Sequence, residues 1–142
     1  MDSTPSLLTA GLAIGAALLY LLAVWRQVLN LETGADRQRQ QIAMVGAAAL
    51  AAHALAAYLP AQAGESSLGF YRVASLMFLS MGLISLVALV ARPLHTLLIV
   101  LFPLAALSIL VATFAPDTSR PMSDLPAGIL SHVSASIISF AV

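Results

Sequence analysis

The chain has no cysteine and very little charge, and both absences narrow what it can be. Without cysteine, its 142 residues contain no disulfide, no thiolate metal ligand and no thiol redox chemistry. Charged residues make up 8% of the chain, against roughly 25% in an ordinary soluble domain, so they cannot cover a water-exposed surface. Lysine is also absent, and the six arginines form no basic stripe, which argues against a nucleic-acid partner.

Hydrophobic residues make up 61% of the sequence and are concentrated in four long runs. Each run is close to the roughly 20 residues that a membrane-spanning helix needs. We therefore predict an all-α fold, a polytopic transmembrane helix bundle in the lipid bilayer, with residues 1–142 forming one helical domain. The runs are Leu7–Trp25, Ile42–Leu59, Val73–Ala91 and Leu97–Ala115.

The last segment, Ile129–Val142, begins like a fifth membrane helix. Its fourteen residues would extend only ~21 Å as a helix, short of a hydrocarbon core of ~30 Å. A helix ending there would leave carbonyl groups in lipid without partners. We therefore expect either the N-terminal part of a longer protein, with four complete spans and the start of a fifth, or a last element that is not a full span.

The arginines are divided unevenly between the two sides of this bundle. Four lie in the connections that follow the first and third runs, and two lie on the other side, so the positive-inside rule predicts an outward N-terminus. The first set is Arg26, Arg37, Arg39 and Arg92, and the second is Arg72 and Arg120.

The runs contain no Asp, Glu, Lys or Arg, which weighs against proton pumps and ion channels because both usually need buried charge. No Ser-His-Asp, paired-carboxylate or P-loop pattern is present, so we do not expect an enzyme. Pro103 interrupts the fourth run and predicts a kink. Broken helices also occur in transporters, which keeps small-molecule transport open as an alternative.

His132 is the first candidate for chemistry. It would lie about one turn below the outer surface, with Ser136 and Ser139 on the same helical face. A neutral imidazole there can ligate haem iron or another metal. The alternative is an interfacial histidine beside serines that hydrogen-bond to their own helix.

His53 is the second candidate, because an ionisable residue inside a span is often functional. It shares a helical face with the small residues Gly46, Ala49 and Ala57, which would let a helix or a flat ligand approach closely. The alternative is a neutral histidine hydrogen-bonded to a neighbouring helix. Gly11 and Gly15 form a GxxxG motif and a further possible packing face.

The order of these segments resembles the cytochrome c assembly family of inner-membrane proteins, the CcsA/CcmC type, and most of all its YpjD/HemX-like branch. The similarity is greatest in SHVSASIISFAV, where His132–Val133 is followed by small and polar residues and by Phe140–Ala141. Further points of similarity are AHALA at Ala52–Ala56, SLMFLSMGLISLVAL at Ser75–Leu89 and ATFAP at Ala112–Pro116.

This resemblance implies a haem-handling component of cytochrome c biogenesis in the bacterial inner membrane. His132 matches the family's first haem-ligating histidine, and His53 resembles a helix-two histidine of the branch. Arg72 or Arg120 would meet a haem propionate. The family's tryptophan-rich segment and second histidine have no counterpart here, and the expected partners are cytochrome c maturation or tetrapyrrole-synthesis proteins. The alternative is a HemX-like regulatory or scaffold protein that acts by helix packing.

Overall fold

The computed structural model describes residues 5–29, 36–62, 69–91, 95–116 and 126–141, and within them all regular structure is α-helical. This confirms the all-α prediction. The helices are α1 (Leu7–Leu29), α2 (Asp36–Gln62), α3 (Phe70–Ala91), α4 (His95–Phe114) and α5 (Ala127–Ala141). Ser6 caps α1, because its Oγ accepts a hydrogen bond of 3.1 Å from the backbone N–H of Thr9.

Four of these helices are long and apolar enough to cross a membrane, which makes the chain a multi-pass membrane protein. Their apolar stretches are Leu7–Leu29, Gln40–Gln62, Phe70–Leu89 and Leu97–Phe114. The fifth helix has 15 residues and is shorter than these. The prediction of four complete spans followed by a shorter helical element is therefore confirmed. The direction of the N-terminus across the membrane stays a prediction.

Helix α2 begins at Asp36, six residues before the apolar run Ile42–Leu59 that predicted it. Arginine and glutamine are good helix formers, so the helix continues beyond its apolar part. At its other end α2 includes Pro60 and ends at Gln62, three residues beyond the apolar run. Hydropathy locates the membrane-embedded part of a helix, whereas helix propensity and capping decide where the helix ends.

The first four helices form a closed ring in which α1 packs against α2 and α4, and α3 packs against the same two helices. The core contains many alanines together with a few large side chains, of which Tyr20 and Phe102 are almost completely buried. The α2–α3 contact is the least extensive in the ring, and α5 lies outside it against α3. Because Val133 and Ile137 are partly buried while most of α5 is exposed, we infer that this edge meets α3.

Glycines have opposite roles in two helices. An ideal Cβ on Gly46 of α2 would lie 3.0 Å from Phe102 Cζ and 3.1 Å from Leu86 Cδ1, so its missing side chain lets α3 and α4 approach. The predicted packing face around Gly46 is therefore confirmed. By contrast, a Cβ on Gly11 or Gly15 of α1 would meet nothing within 4 Å. The GxxxG motif consequently faces away from the contacts that hold the ring together.

Candidate functional site

A chain of three polar side chains crosses the centre of the ring. His53 of α2 lies between Tyr20 of α1 and Ser75 of α3, with Nδ1 3.1 Å from the Tyr20 hydroxyl and Nε2 2.8 Å from Ser75 Oγ. The exposed fractions of Tyr20 and His53 are 0%, and that of Ser75 is 2%. Three helices are thus joined by hydrogen bonds where no water is available to replace them.

One assignment of the hydrogens satisfies the imidazole with a single tautomer. If the Tyr20 hydroxyl donates to Nδ1, then Nε2 carries the proton and donates to Ser75 Oγ. The serine hydroxyl can then donate to a carbonyl of its own helix, as Ser80 does to the carbonyl of Leu76 at 2.9 Å. A neutral histidine with one donor and one acceptor nitrogen therefore fits this position, and both nitrogens are engaged.

Apolar packing fixes the tyrosine and histidine rings. Tyr20 lies at 5.1 Å between ring centroids from Phe102 of α4, and edge-on to His53 at 5.9 Å. Ala16, Ala17 and Ala49 are buried in the same core, and their small side chains leave space for these rings. Small residues on α1 and α2 are therefore the local sequence feature that allows a tyrosine and a histidine into the centre of the bundle.

A hydroxyl bonded to an imidazole is also the arrangement of a nucleophile with its general base. Ser75 and His53 have that geometry, but almost none of their surface is accessible. A substrate carbonyl would have to reach a point inside the helix ring. The arrangement supports helix packing rather than hydrolysis.

Of the two interpretations of His53, the contacts agree with the histidine hydrogen-bonded to neighbouring helices. Coordination of a metal by His53 would require breaking one of its two hydrogen bonds. Sequence reasoning missed Tyr20 and Ser75 as its partners. A signal existed for Tyr20, because a tyrosine at the middle of an apolar run needs a partner for its hydroxyl when it is buried. Ser75 carried no such signal among the serines of its helix.

His132 has the opposite environment. It is exposed on α5, and the neighbouring Ile129, Ile138 and Phe140 are exposed as well. Ser136 donates to the carbonyl of His132 at 2.8 Å, and Ser131 donates to the carbonyl of Gly128 at 3.0 Å. Ser136 therefore bonds to its own helix, as the second interpretation of this segment predicted, and Ser131 does the same. The imidazole itself stays accessible to a ligand.

Of the remaining predicted site residues, Arg72 belongs to the described part of the chain and Arg120 does not. Arg72 is partly buried near the start of α3 and takes part in an interaction of its own. Within the described ranges, no group of three or more His, Cys, Asp or Glu residues is placed to hold a metal ion. Axial ligation of haem iron does not require such a group, because a single imidazole is sufficient.

No protein-family model, curated protein or solved structure matches the chain. The class that the fold defines is a multi-pass helical membrane protein with a buried chain of three polar side chains and an accessible histidine, His132, on a peripheral helix.

Proposed function

We propose that the protein is a haem-handling membrane component related to cytochrome c biogenesis, and that His132 supplies an axial ligand to the iron. The observation that carries this proposal is the accessible imidazole of His132 on α5, an apolar helix that packs against α3. A neutral imidazole is a common haem ligand. The resemblance of SHVSASIISFAV to the cytochrome c assembly family supports the same residue.

The side chains around His132 suit one face of a porphyrin. Haem is a flat and mostly apolar ring, and Ile129 and Phe140 offer exposed apolar surface on the side of α5 nearest to His132. The hydroxyls of Ser131 and Ser136 are hydrogen-bonded to backbone carbonyls, which lowers the free-energy cost of covering them with an apolar ring. The described residues thus provide one axial ligand and apolar contact.

The propionates would lie toward the end of the bundle that carries Arg72. The connection between α4 and α5 contains Asp117, Arg120 and Asp124, and such a polar segment does not cross hydrocarbon. In the membrane α5 would therefore begin on the side where α4 ends, which is also the side where α3 begins. Arg72 and Arg120 would then be the cations nearest to the propionates.

In this proposal the protein holds the cofactor and passes it on, and the iron and porphyrin are cargo rather than the agents of a reaction. His53 is not needed as a ligand, because its two nitrogens already join three helices. Cytochrome c maturation proteins are the proposed recipients, with tetrapyrrole-synthesis proteins as further candidate partners. The proposed location is the bacterial inner membrane.

Haem titration of the purified protein in detergent tests the proposal. Wild type should shift and sharpen the Soret band of added haem, whereas with His132→Ala the spectrum should remain that of haem in detergent alone. Ser131→Ala changes a neighbouring exposed residue on the same helix and should titrate like wild type. A wild type that leaves the haem spectrum unchanged under oxidising and reducing conditions, or a His132→Ala variant with unchanged haem affinity, would overturn the proposal.

A second candidate function is a membrane scaffold that acts by helix packing. It is favoured by the open space in front of Gly11 and Gly15 on α1, a motif that lets two membrane helices approach closely. In this case Gly11→Leu with Gly15→Leu should abolish co-purification of the partner, whereas His132→Ala should leave it unchanged. Retention of the partner by the double glycine variant would exclude α1 as the contact.

A further inference from the structure

The contact between α2 and α3 has a regular pattern along its length. Leu86 of α3 lies against Gly46 of α2, and Leu50 of α2 lies against Gly82 of α3, where an ideal Cβ would be 3.0 Å from Leu50 Cδ2. His53 then meets Ser75. Residue numbers rise along α2 as they fall along α3, so the two helices pair in antiparallel order. Glycine faces a leucine twice, and the third contact is a hydrogen bond.

This hydrogen bond lies in the least extensive contact of the ring. A leucine against a glycine can slide, because dispersion contacts depend weakly on direction. The hydrogen bond between His53 Nε2 and Ser75 Oγ, at 2.8 Å, has a defined length and angle. If it breaks inside the bundle, the imidazole N–H or the serine hydroxyl needs a new partner where water is excluded. The α2–α3 contact therefore favours two discrete arrangements, one with the hydrogen bond formed and one with the helices separated, over a continuous range of helix separations.

The position of α3 also determines the position of α5. The described part of α5 packs against α3, and α3 packs more extensively against α4 than against α2. The Tyr20 hydroxyl holds His53 from the other side, so α1 and α2 form the fixed part. A displacement of α3 away from α2 would carry α5 with it.

We propose that the Tyr20–His53–Ser75 chain is a latch that holds α3, and through it α5, against α2, while Tyr20 of α1 fixes His53 from the other side. Breaking the bond between His53 and Ser75 opens the α2–α3 contact, while α1 and α2 stay together. Tyr20, His53 and Ser75 are positioning residues in this proposal, since they act on α5 through α3. The latch goes beyond the proposed haem function and does not depend on it.

Pairs of spin labels can test the latch directly, because the chain contains no native cysteine. One pair, Leu55→Cys on α2 with Ser134→Cys on α5, measures the α2–α5 distance, which changes if the latch opens. A reference pair, Leu55→Cys with Leu18→Cys on α1, measures the α1–α2 distance, which should stay constant. All three positions are exposed, so the labels do not disturb the core. Distances are measured by pulsed electron resonance in lipid nanodiscs.

The latch predicts that Ser75→Ala adds a second, displaced α2–α5 distance and leaves the α1–α2 distance unchanged. Ser80→Ala is the matched control, because the Ser80 hydroxyl bonds to its own helix, and it should behave like wild type. Ser75→Thr keeps a hydroxyl and should restore the single distance. An unchanged α2–α5 distance in Ser75→Ala, or equal broadening of both pairs, would overturn the latch. His53→Phe should displace α5 in the same way as Ser75→Ala.

Discussion

His53 and His132 are the same residue type in two opposite environments. His53 is completely buried, with one hydrogen bond to α1 and one to α3. His132 is exposed on α5, where the nearby serines hydrogen-bond to their own helix. A buried imidazole with both nitrogens engaged stabilises one arrangement of helices, whereas an accessible imidazole is available to a ligand. Removing one should therefore affect stability, and removing the other should affect binding.

The largest expected effect on stability comes from His53→Ala. It creates a cavity and leaves both the Tyr20 hydroxyl and the Ser75 hydroxyl without their imidazole partner. We expect the free energy of unfolding to fall by about 3 kcal/mol, measured by steric trapping in lipid. The control is His132→Ala, which should change it by no more than about 0.5 kcal/mol. Equal losses in the two variants would remove the distinction between the two histidines.

A second prediction compares a glycine of the ring with one outside it. Gly46→Ala would place a methyl group against the buried ring of Phe102, so we expect a loss of roughly 1–3 kcal/mol. Gly15→Ala meets open space, and its effect should lie within about 0.5 kcal/mol. Thermal unfolding in one detergent measures both. A tolerated Gly46→Ala would show that Phe102 and Leu86 can move aside.

The smallest expected effect on stability is that of Tyr20→Phe. The ring contact with Phe102 remains, and one hydrogen bond to His53 Nδ1 is lost. Hydrogen bonds between membrane helices contribute about 0.6 kcal/mol on average, so we expect a loss of that size. Tyr58→Phe removes a hydroxyl from an exposed position of α2 and should have no measurable effect. A larger loss for Tyr58→Phe than for Tyr20→Phe would contradict the assigned hydrogen bond.

Much of the fold follows from the order of residues along the chain. The four apolar runs predicted the spans to within a few residues, because a helix in lipid must satisfy its backbone internally and must be long enough to cross. The helical ends were less accurate, as the early start of α2 at Asp36 illustrates. Helix continues into water wherever propensity and capping permit, and hydropathy does not report on that part.

The candidate sites were predicted less completely. The residue pattern identified His53 as a functional or packing residue, but it could not select Tyr20 and Ser75 from other helices as its partners. The three residues are far apart in sequence, and their meeting depends on how α1, α2 and α3 pack. The sequence also could not distinguish the positions of Gly11 and Gly46, because both lie in apolar helices. In the structure Gly11 is on an outer face, whereas Gly46 is in a contact between helices.

The sequence by itself determined the membrane class, the number of long helices and the chemistry that each side chain offers. Those properties depend on local composition and on helix length, which any apolar run of this kind carries with it. Only the tertiary structure decided that His53 is enclosed by three helices while His132 is left accessible. That difference arises from which faces of the helices meet, and it depends on contacts between residues distant in the chain.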